Sequence, residues 1–280
     1  TIWMDEGSPL KVYADRLLDS VQKAYDDAGE DVLVLNGMGY SEPFIWDTMA
    51  EFERRGVRDI LVMPLFPQYS TATTESVFHG VRESAKKWKE APNLKFVDDL
   101  YAEPAFISAW AALIGKHVSD AQAEHIIFSY HGLPESNIKR ADKNGVCEMG
   151  ACCETITDKN KLCYRAQCVA TTRSIAAAMG WGEDRYSIAF QSRFGTQAWI
   201  QPYLDDHLEI LIEKGVKKVA VVTPSFVSDC LETIHEIGIE YKEEFMEGGG
   251  DTFKLVPNLN DDKKWFDSVF QISREKLQQL

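Results

Sequence analysis

One segment of the sequence occurs twice, and this repeat constrains the fold more than any other feature. The segment GVRDILVMPLF at residues 56–66 matches GVKKVAVVTPSF at residues 215–226 almost position for position. Each copy has Gly-Val, two polar residues, an apolar strand and then proline, and a helical pattern follows each. Strands that alternate with helices form parallel sheets. Two copies are too few for a solenoid, so we expect two similar α/β lobes with a cleft between them.

The spacing of apolar residues predicts the other elements in the same alternating order. Helices are predicted at 10–28, 44–55, 71–89, 105–118, 203–214 and 263–280, with one more from Asp229 onward. Strands are predicted at 32–35, 60–63, 95–98, 125–129, 186–190, 219–222 and 253–256. This order divides the chain into an N-terminal lobe (1–118), a C-terminal lobe (119–262) and a terminal helix (263–280) that packs back on the first lobe.

Composition narrows the class of protein. The hydrophobic content of 45% is ample for a packed core. No apolar run approaches the ~20 residues that a membrane helix needs, and residues 1–9 are too acidic and polar for a signal peptide. The net charge is −14 and no basic stripe is present, which argues against nucleic acid as a partner. We therefore expect a soluble cytoplasmic protein.

The segment FSYHGLP at residues 128–134 predicts a ligand site. It follows an apolar strand, and Gly132 and Pro134 end that strand in a turn. Open parallel sheets bind ligands at the carboxyl ends of their strands. His131 lies at such an end, and its imidazole can exchange protons near neutral pH. A histidine in a turn can also simply bond to the backbone, so the pattern alone leaves both roles open.

Further residues at strand ends are typical of a ligand cleft. Glu232, Glu236 and Glu240 recur every four residues, which places them in one row on a helix. Such a row is usually a solvated face, but this one starts in the first turn after a strand. Aromatic residues at cleft positions suit a flat apolar ligand, although each is individually more typical of a core. They are Tyr40, Tyr69, Phe194, Trp199 and Phe226. The combination indicates deprotonation together with cation handling.

Cysteine usage predicts a metal or cluster site. Five of the six cysteines fall between Cys147 and Cys168, and Cys230 stands alone. A secreted disulfide scaffold would spread its cysteines along a small chain. A loop of this length with few large apolar residues needs a staple, and a reducing cytosol disfavours disulfides. Zinc and iron–sulfur clusters both accept four thiolates, so the pattern does not choose between them.

Several motifs, in order, resemble the signature segments of ferrochelatases, which insert ferrous iron into a porphyrin. They are SYHGLP, Pro67–Ser70, QSRFG with Trp199, and SDCLETIHEIGIEY. The resemblance runs from Glu6 to Asn260, nearly the whole chain. It implies two Rossmann-like lobes, each a parallel sheet flanked by helices, and formation of haem from protoporphyrin IX, the last step of haem biosynthesis.

The resemblance also implies residue roles. It makes His131 and Glu232 the catalytic residues. The implied contacts to the iron substrate are His131, Glu232, Glu236 and Glu240. The implied porphyrin contacts are Tyr69 and Trp199. The further predicted substrate-binding residues are Tyr40, Ser70, Arg193 and Phe226.

The chain departs from the family pattern in three places. It begins where the family is already under way, so we expect the first strand and the porphyrin-covering lip to be missing from an incomplete chain or a fragment. Gly39 stands where the family often has a basic residue, which puts a propionate or metal contact there in doubt. Some relatives carry a histidine beside the glutamate, whereas this chain has Cys230 there, as many bacterial members have a cysteine.

The cysteine-rich loop resembles the internal loop that holds a 2Fe–2S cluster in some bacterial members. The implied ligands are Cys147, Cys152, Cys153 and Cys163, with Cys168 in reserve. Structural zinc is the alternative, and Cys230 is excluded because it belongs to the start of the catalytic helix.

Other functions stay open at this point. One is a chelatase for another tetrapyrrole or metal, such as coproporphyrin or cobalt. A second is a tetrapyrrole or iron–sulfur binding protein without turnover, and a third is a zinc-binding structural protein. The expected partners are porphyrin and ferrous iron, with a peripheral membrane contact also open.

Overall fold

The computed structural model describes residues 2–279, apart from the side chain of Asp120. The strands are β1 (Asp59–Val62), β2 (Asn93–Phe96), β3 (His125–His131), β4 (Tyr186–Gln191), β5 (Lys218–Val222) and β6 (Thr252–Leu255). The α-helices are α1 (Pro9–Ala28), α2 (Ile45–Arg54), α3 (Thr74–Ala85), α4 (Pro104–Ala121), α5 (Glu135–Ala141), α6 (Tyr164–Ala178), α7 (Leu204–Glu213), α8 (Lys242–Glu247) and α9 (Lys263–Leu277). A π-helix covers Glu232–Tyr241.

The strands form two parallel sheets. β1 pairs with β2 in the smaller sheet, and the larger sheet has the order β4-β3-β5-β6. In the larger sheet His131 lies opposite Gln191, so β3 and β4 end together at one edge. The repeated segments contribute β1 and β5, which lie in different sheets. The predicted α/β fold with parallel sheets flanked by helices is confirmed.

The strand predicted at 32–35 is wrong, and the structure gives the reason. Within residues 2–279 no strand pairs with this segment. The side chain of Gln22 in α1 replaces a strand partner, donating to the Val32 carbonyl at 2.9 Å and accepting from the Val34 N–H at 2.8 Å. Val32 and Val34 still pack on the core, which is the burial that the apolar pattern reflects.

The helix predicted from Asp229 onward exists but differs in type. Residues 232–241 form a π-helix, whose hydrogen bonds reach one residue farther than those of an α-helix. Gly238 allows this helix to lie close to β6, because a Cβ there would come within 3.1 Å of Leu255. π-helical turns are rare and frequently occur at functional sites.

The main core lies between β3, α4, α6 and α9, with Trp110 and Trp265 both fully buried. α9 also packs against α1, where the Tyr25 hydroxyl lies 2.7 Å from Ser273 Oγ and Arg274 pairs with Glu30. Among the described helices, none combines the length and the apolarity needed to cross a membrane.

Candidate active site

β3 ends at His131 and holds its imidazole at the carboxyl edge of the larger sheet. The ring Nδ1 lies 2.6 Å from the carbonyl oxygen of Gly132. A carbonyl oxygen only accepts, so Nδ1 carries the ring proton and Nε2 is unprotonated in the neutral ring. Ser225 Oγ accepts the His131 N–H at 3.2 Å, and the Tyr164 hydroxyl donates to the His131 carbonyl at 2.8 Å. The fold thus fixes an imidazole that can accept a proton at Nε2.

Gly132 is required by close packing. Its N–H donates to the Gln191 carbonyl oxygen at 2.8 Å. A Cβ at this position would lie 2.8 Å from the same oxygen and 3.2 Å from the Trp199 ring. The backbone of β3 therefore approaches β4 and Trp199 more closely than a side chain permits.

Two aromatic rings flank the imidazole. The ring centroids of Trp199 and Phe226 lie 6.5 and 6.3 Å from that of His131. Trp199 is itself fixed, because its Nε1–H donates to the Phe194 carbonyl at 2.9 Å. Phe194 is 84% exposed. The imidazole therefore stands between apolar surfaces that suit a flat ligand.

The π-helix brings carboxylates to this site. The Glu236 carboxylate accepts the backbone N–H of Ser192 at 2.8 Å and its hydroxyl at 2.5 Å. Burial raises the pKa of Glu236, while the two bonds from Ser192 and the charge of His131 lower it. The charge of Glu232 raises the pKa of Glu236 further, so Glu236 lies within electrostatic reach of both His131 and Glu232.

The three predicted carboxylates extend from the site to the surface. Glu232 and Glu236 are partly buried, and Glu240 is exposed. The Glu240 carboxylate lies 3.2 Å from Nδ1 of His235. Burial, followed by the charge of Glu232, raises the pKa of Cys230 to about 12. Cys230 is thus a neutral thiol beside the first carboxylate.

Two predicted porphyrin contacts belong to a buried turn. Tyr69 is 6% exposed, and its hydroxyl donates to Glu75 at 3.0 Å. Burial, together with that carboxylate, raises the pKa of Tyr69 to about 12. The adjacent Ser70 is also buried, and its hydroxyl accepts the N–H of Ala72 at 3.0 Å.

Two others lie at the surface. Tyr40 is 94% exposed. Arg193 pairs with Asp205 at 2.7 Å and lies over the Tyr203 ring at 4.3 Å from its centroid.

Sequence reasoning missed the side chains that hold the site. Ser192, Ser225 and Tyr164 bond to Glu236 or to the His131 peptide without being candidates for the chemistry. For Ser192 a signal existed, because it follows the end of β4 just as Gly132 follows the end of β3. No comparable local signal marked Ser225 or Tyr164.

The cysteine-rich loop is ordered by polar side chains. Asp142 accepts the N–H of Cys147 at 2.8 Å. The Asn160 amide donates to the carbonyls of Cys152 and Thr155 at 2.8 and 2.9 Å. These bonds hold the segments that carry the thiols.

Four of the thiols lie close enough together to affect one another's pKa. Burial and the Cys152 thiol raise the pKa of Cys147 to about 11. The hydrogen bond from Cys163, with help from Arg165, lowers the pKa of Cys153, and the same bond raises that of Cys163. The Sγ atoms of Cys152 and Cys153 lie 3.9 Å apart.

The number and kind of these thiols match the ligands of a two-iron cluster, because a 2Fe–2S cluster takes four thiolates. In the described part of the chain, no group of three or more His, Cys, Asp or Glu side chains is arranged to hold a metal ion. Cys168 is fully buried in the core, where burial raises its pKa and its thiol bonds to Tyr164. This position separates the reserve ligand from the other four.

Comparison with known protein families gives a match over nearly the whole chain. The family model described as "Ferrochelatase" matches residues 2–277. A protein named ferrochelatase from Coxiella burnetii (strain CbuG_Q212) is 40% identical over 278 residues, covering 99% of this chain and 77% of that protein. A ferrochelatase from Legionella pneumophila (strain Corby) is 38% identical, covering 99% and 81%. One from Bdellovibrio bacteriovorus is 39% identical, covering 94% and 77%.

Solved structures share the fold. The sirohydrochlorin chelatase SirB from Bacillus subtilis subspecies spizizenii, in complex with cobalt, has a TM-score of 0.63 and 10% identity. The match covers 97% of this chain and 92% of SirB. DR2241 from Deinococcus radiodurans, described as structurally similar to chelatases, has a TM-score of 0.54 and covers 94% of this chain and 51% of its own. At this identity the likeness concerns the fold alone.

Proposed function

This chain belongs to the ferrochelatase family, and we propose that it inserts ferrous iron into protoporphyrin IX to form haem. The observation that carries the proposal is the imidazole of His131, which is held with an unprotonated Nε2 and lies within electrostatic reach of the Glu236 carboxylate. Iron enters the ring as two pyrrole N–H bonds break, so Fe²⁺ and the free porphyrin give haem and two protons. The site therefore needs a proton acceptor and carboxylates for a cation, and it offers both.

Each polar residue receives a role. Nε2 of His131 accepts a pyrrole proton as a general base. Glu232 holds that proton or passes it on. Glu236 and Glu240 conduct iron inward, which their graded exposure supports.

The porphyrin lies against apolar surfaces. We assign its contacts to Trp199 and Phe226 beside the imidazole, and to Tyr69 and Ser70 in the neighbouring turn. We also assign contacts to the exposed Tyr40 and Arg193, and the guanidinium of Arg193 suits a propionate.

We also propose a 2Fe–2S cluster on Cys147, Cys152, Cys153 and Cys163. The proximity of these four thiols in one loop supports it. When bound, the cluster cross-links the loop and supplies a one-electron redox site. Metallation of porphyrin transfers no electrons, so the role assigned to the cluster is structural or redox-sensing.

The proposed lobes are 1–118 and 119–262, with the helix 263–280 packed on the first. The separate sheets of β1 and β5, and the contacts of α9 with α1, support this division. We propose the cytoplasm as the location.

An anaerobic metallation assay tests the proposed function. The chain is incubated with Fe²⁺ and either protoporphyrin IX or coproporphyrin, and metal insertion is followed by porphyrin absorbance and fluorescence. We expect insertion into protoporphyrin, and we expect His131→Ala to bind porphyrin but lose ~100-fold or more in rate. His79→Ala, an exposed histidine of α3, is the control. Faster insertion into coproporphyrin would reassign the substrate, and porphyrin binding without insertion of Fe²⁺ or Co²⁺ would contradict a chelatase.

A further inference from the structure

Helix α6 begins at the end of the cysteine-rich loop, and its first residue contacts the histidine proposed to be catalytic. Cys163 immediately precedes the helix, and Tyr164 is its first residue. Tyr164 is 7% exposed, and its hydroxyl donates to the His131 carbonyl at 2.8 Å. A residue proposed to bind the cluster is therefore covalently adjacent to one that holds the His131 peptide.

A second side chain of α6 makes a parallel connection. Gln167 is fully buried, and its Oε1 accepts the N–H of Tyr69 at 2.6 Å. Its Nε2 donates to the Lys161 carbonyl in the loop at 2.6 Å and to Asp99 at 2.8 Å. One amide thus joins the loop to the turn that carries Tyr69, a proposed porphyrin contact.

The bond from Tyr164 has no simple replacement. The bond is partly buried, and a carbonyl that loses its donor where water has limited access is left without a partner, which costs free energy. Ser225 accepts the N–H of the same residue, so side chains bond to both the N–H and the carbonyl of His131. Consecutive Cα atoms are about 3.8 Å apart, so a shift of Cys163 acts directly on the peptide that it shares with Tyr164.

We propose that Tyr164 is a positioning residue for His131, and that occupancy of the Cys163 thiol by the cluster sets this position. The proposal rests on the proposed chelatase activity and on the proposed cluster. Cluster binding would fix Cys163 and hence the first turn of α6, and the hydrogen bond from Tyr164 carries that constraint to His131. Loss of the cluster would leave the fold intact but move the imidazole away from its productive position.

The first test compares two buried tyrosines that each join β3 to α6. Tyr164→Phe removes the hydroxyl that holds His131. Tyr130→Phe removes a buried hydroxyl that lies 2.8 Å from Thr172 Oγ1 and bonds to no backbone group of His131. We expect Tyr164→Phe to lower kcat about tenfold with KM for porphyrin within about twofold, because a small displacement of a catalytic group slows the chemical step. We expect Tyr130→Phe to keep kcat within about twofold, with a comparable loss of thermal stability.

The second test observes His131 directly. The chain is labelled with ¹³C at histidine carbonyls, and the His131 resonance is assigned by its loss in His131→Gln. We expect this resonance to move when a chelator strips iron from the wild-type protein and from Tyr130→Phe. In Tyr164→Phe we expect it to start at a different position and to stay there on stripping.

The outcomes separate the proposals. Equal losses of kcat in the two tyrosine variants, or a wild-type resonance that ignores iron removal, would overturn the proposed coupling. A preparation without about two irons per chain would contradict the proposed cluster. The position of the His131 carbonyl resonance in Tyr164→Phe would still test whether Tyr164 positions His131. A wild-type chain that inserts no metal would contradict the proposed chelatase activity. The response of the His131 resonance to iron removal would still test whether the cluster and His131 are coupled.

Discussion

Ser192 holds the carboxylate of Glu236 from two sides, its N–H at 2.8 Å from Oε1 and its hydroxyl at 2.5 Å from Oε2. Its φ angle is +63°, a left-handed conformation that costs free energy in a residue other than glycine. This conformation directs both donors toward the π-helix. Ser192 is the first residue after β4, and β4 ends beside His131, so Ser192 fixes Glu236 near the imidazole.

The first prediction separates the roles of the carboxylates. We expect Glu232→Gln to lower kcat by ~100-fold, because it removes the group that takes the proton from His131. Glu236→Gln and Glu240→Gln should mainly raise the apparent KM for iron, since they conduct the cation. Steady-state kinetics with varied Fe²⁺ measures both constants.

Two further variants sharpen this comparison. Ser192→Ala removes one of the two donors to Glu236 and should reproduce part of the KM effect of Glu236→Gln. Glu243→Gln, on the exposed face of α8, is the control and should change neither constant. If the outer variants altered only the thermal midpoint, the carboxylate row would be an ordinary solvated face.

Local patterns predicted the elements and His131, whereas contacts between distant segments did not follow from them. The strand before Gly132 and Pro134 is a local signal, so the position of His131 at a sheet edge could be predicted. The segment 32–35 has the same apolar character, yet Gln22 supplies its hydrogen bonds in place of a strand. The apolar periodicity of a segment indicates that it is buried, but it does not indicate which group forms hydrogen bonds with its backbone.

The same limit applies to the geometry of the site. The four-residue spacing of the carboxylates predicted one row on a helix, but the π-helical form involves the approach of Gly238 to Leu255. The left-handed Ser192 and the bond from Tyr164 to His131 likewise join residues far apart in the sequence. The position of Ser192 after a strand end was a signal, but nothing in the sequence indicated its left-handed conformation or distinguished Tyr164 from the other tyrosines.

The second prediction concerns the close packing at Gly132. Gly132→Ala places a Cβ 2.8 Å from a backbone oxygen of Gln191, which cannot move like a flexible side chain. We expect a loss of about 1–3 kcal/mol in the free energy of unfolding, as overpacking typically costs. Gly39→Ala is the control, because a Cβ there meets nothing within 4 Å. Urea unfolding of both variants measures the difference, and equal stabilities would contradict the packing argument.

The third prediction identifies the cluster ligands. Purified without oxygen, the protein should be red-brown, and Cys163→Ser should bleach it because one iron loses a thiolate. Cys168→Ser and Cys230→Ser should keep the colour, since one thiol is buried beside Tyr164 and the other lies beside Glu232. Absorbance and iron analysis read out each variant. A colourless wild-type protein with one tightly bound zinc would show that the loop is a zinc site.

The fourth prediction concerns two histidines at the opposite end of the larger sheet. Nε2 of His125 and Nε2 of His207 lie 2.9 and 2.7 Å from the same hydroxyl, that of Ser187. Burial lowers the pKa of both imidazoles, and that of His207 falls to about 4, with the charges of His125 and Lys214 contributing. The folded protein therefore keeps both rings neutral under conditions where the unfolded chain takes up protons.

The sign of the pH dependence follows from this difference. In the unfolded chain a histidine has a pKa of about 6.5. Above that pH both states are neutral. As the pH falls from about 6.5 toward 4, the unfolded chain gains a proton at His207 that the folded chain does not, and His125 acts in the same direction, so the free energy of unfolding decreases. We expect the urea midpoint to fall across this window and His207→Gln to reduce the fall, with His79→Gln unchanged. Asp99, whose pKa burial raises to about 6, acts in the opposite direction but cancels when variant and wild type are compared. An equal pH slope in His207→Gln and wild type would contradict the predicted role of the buried imidazole.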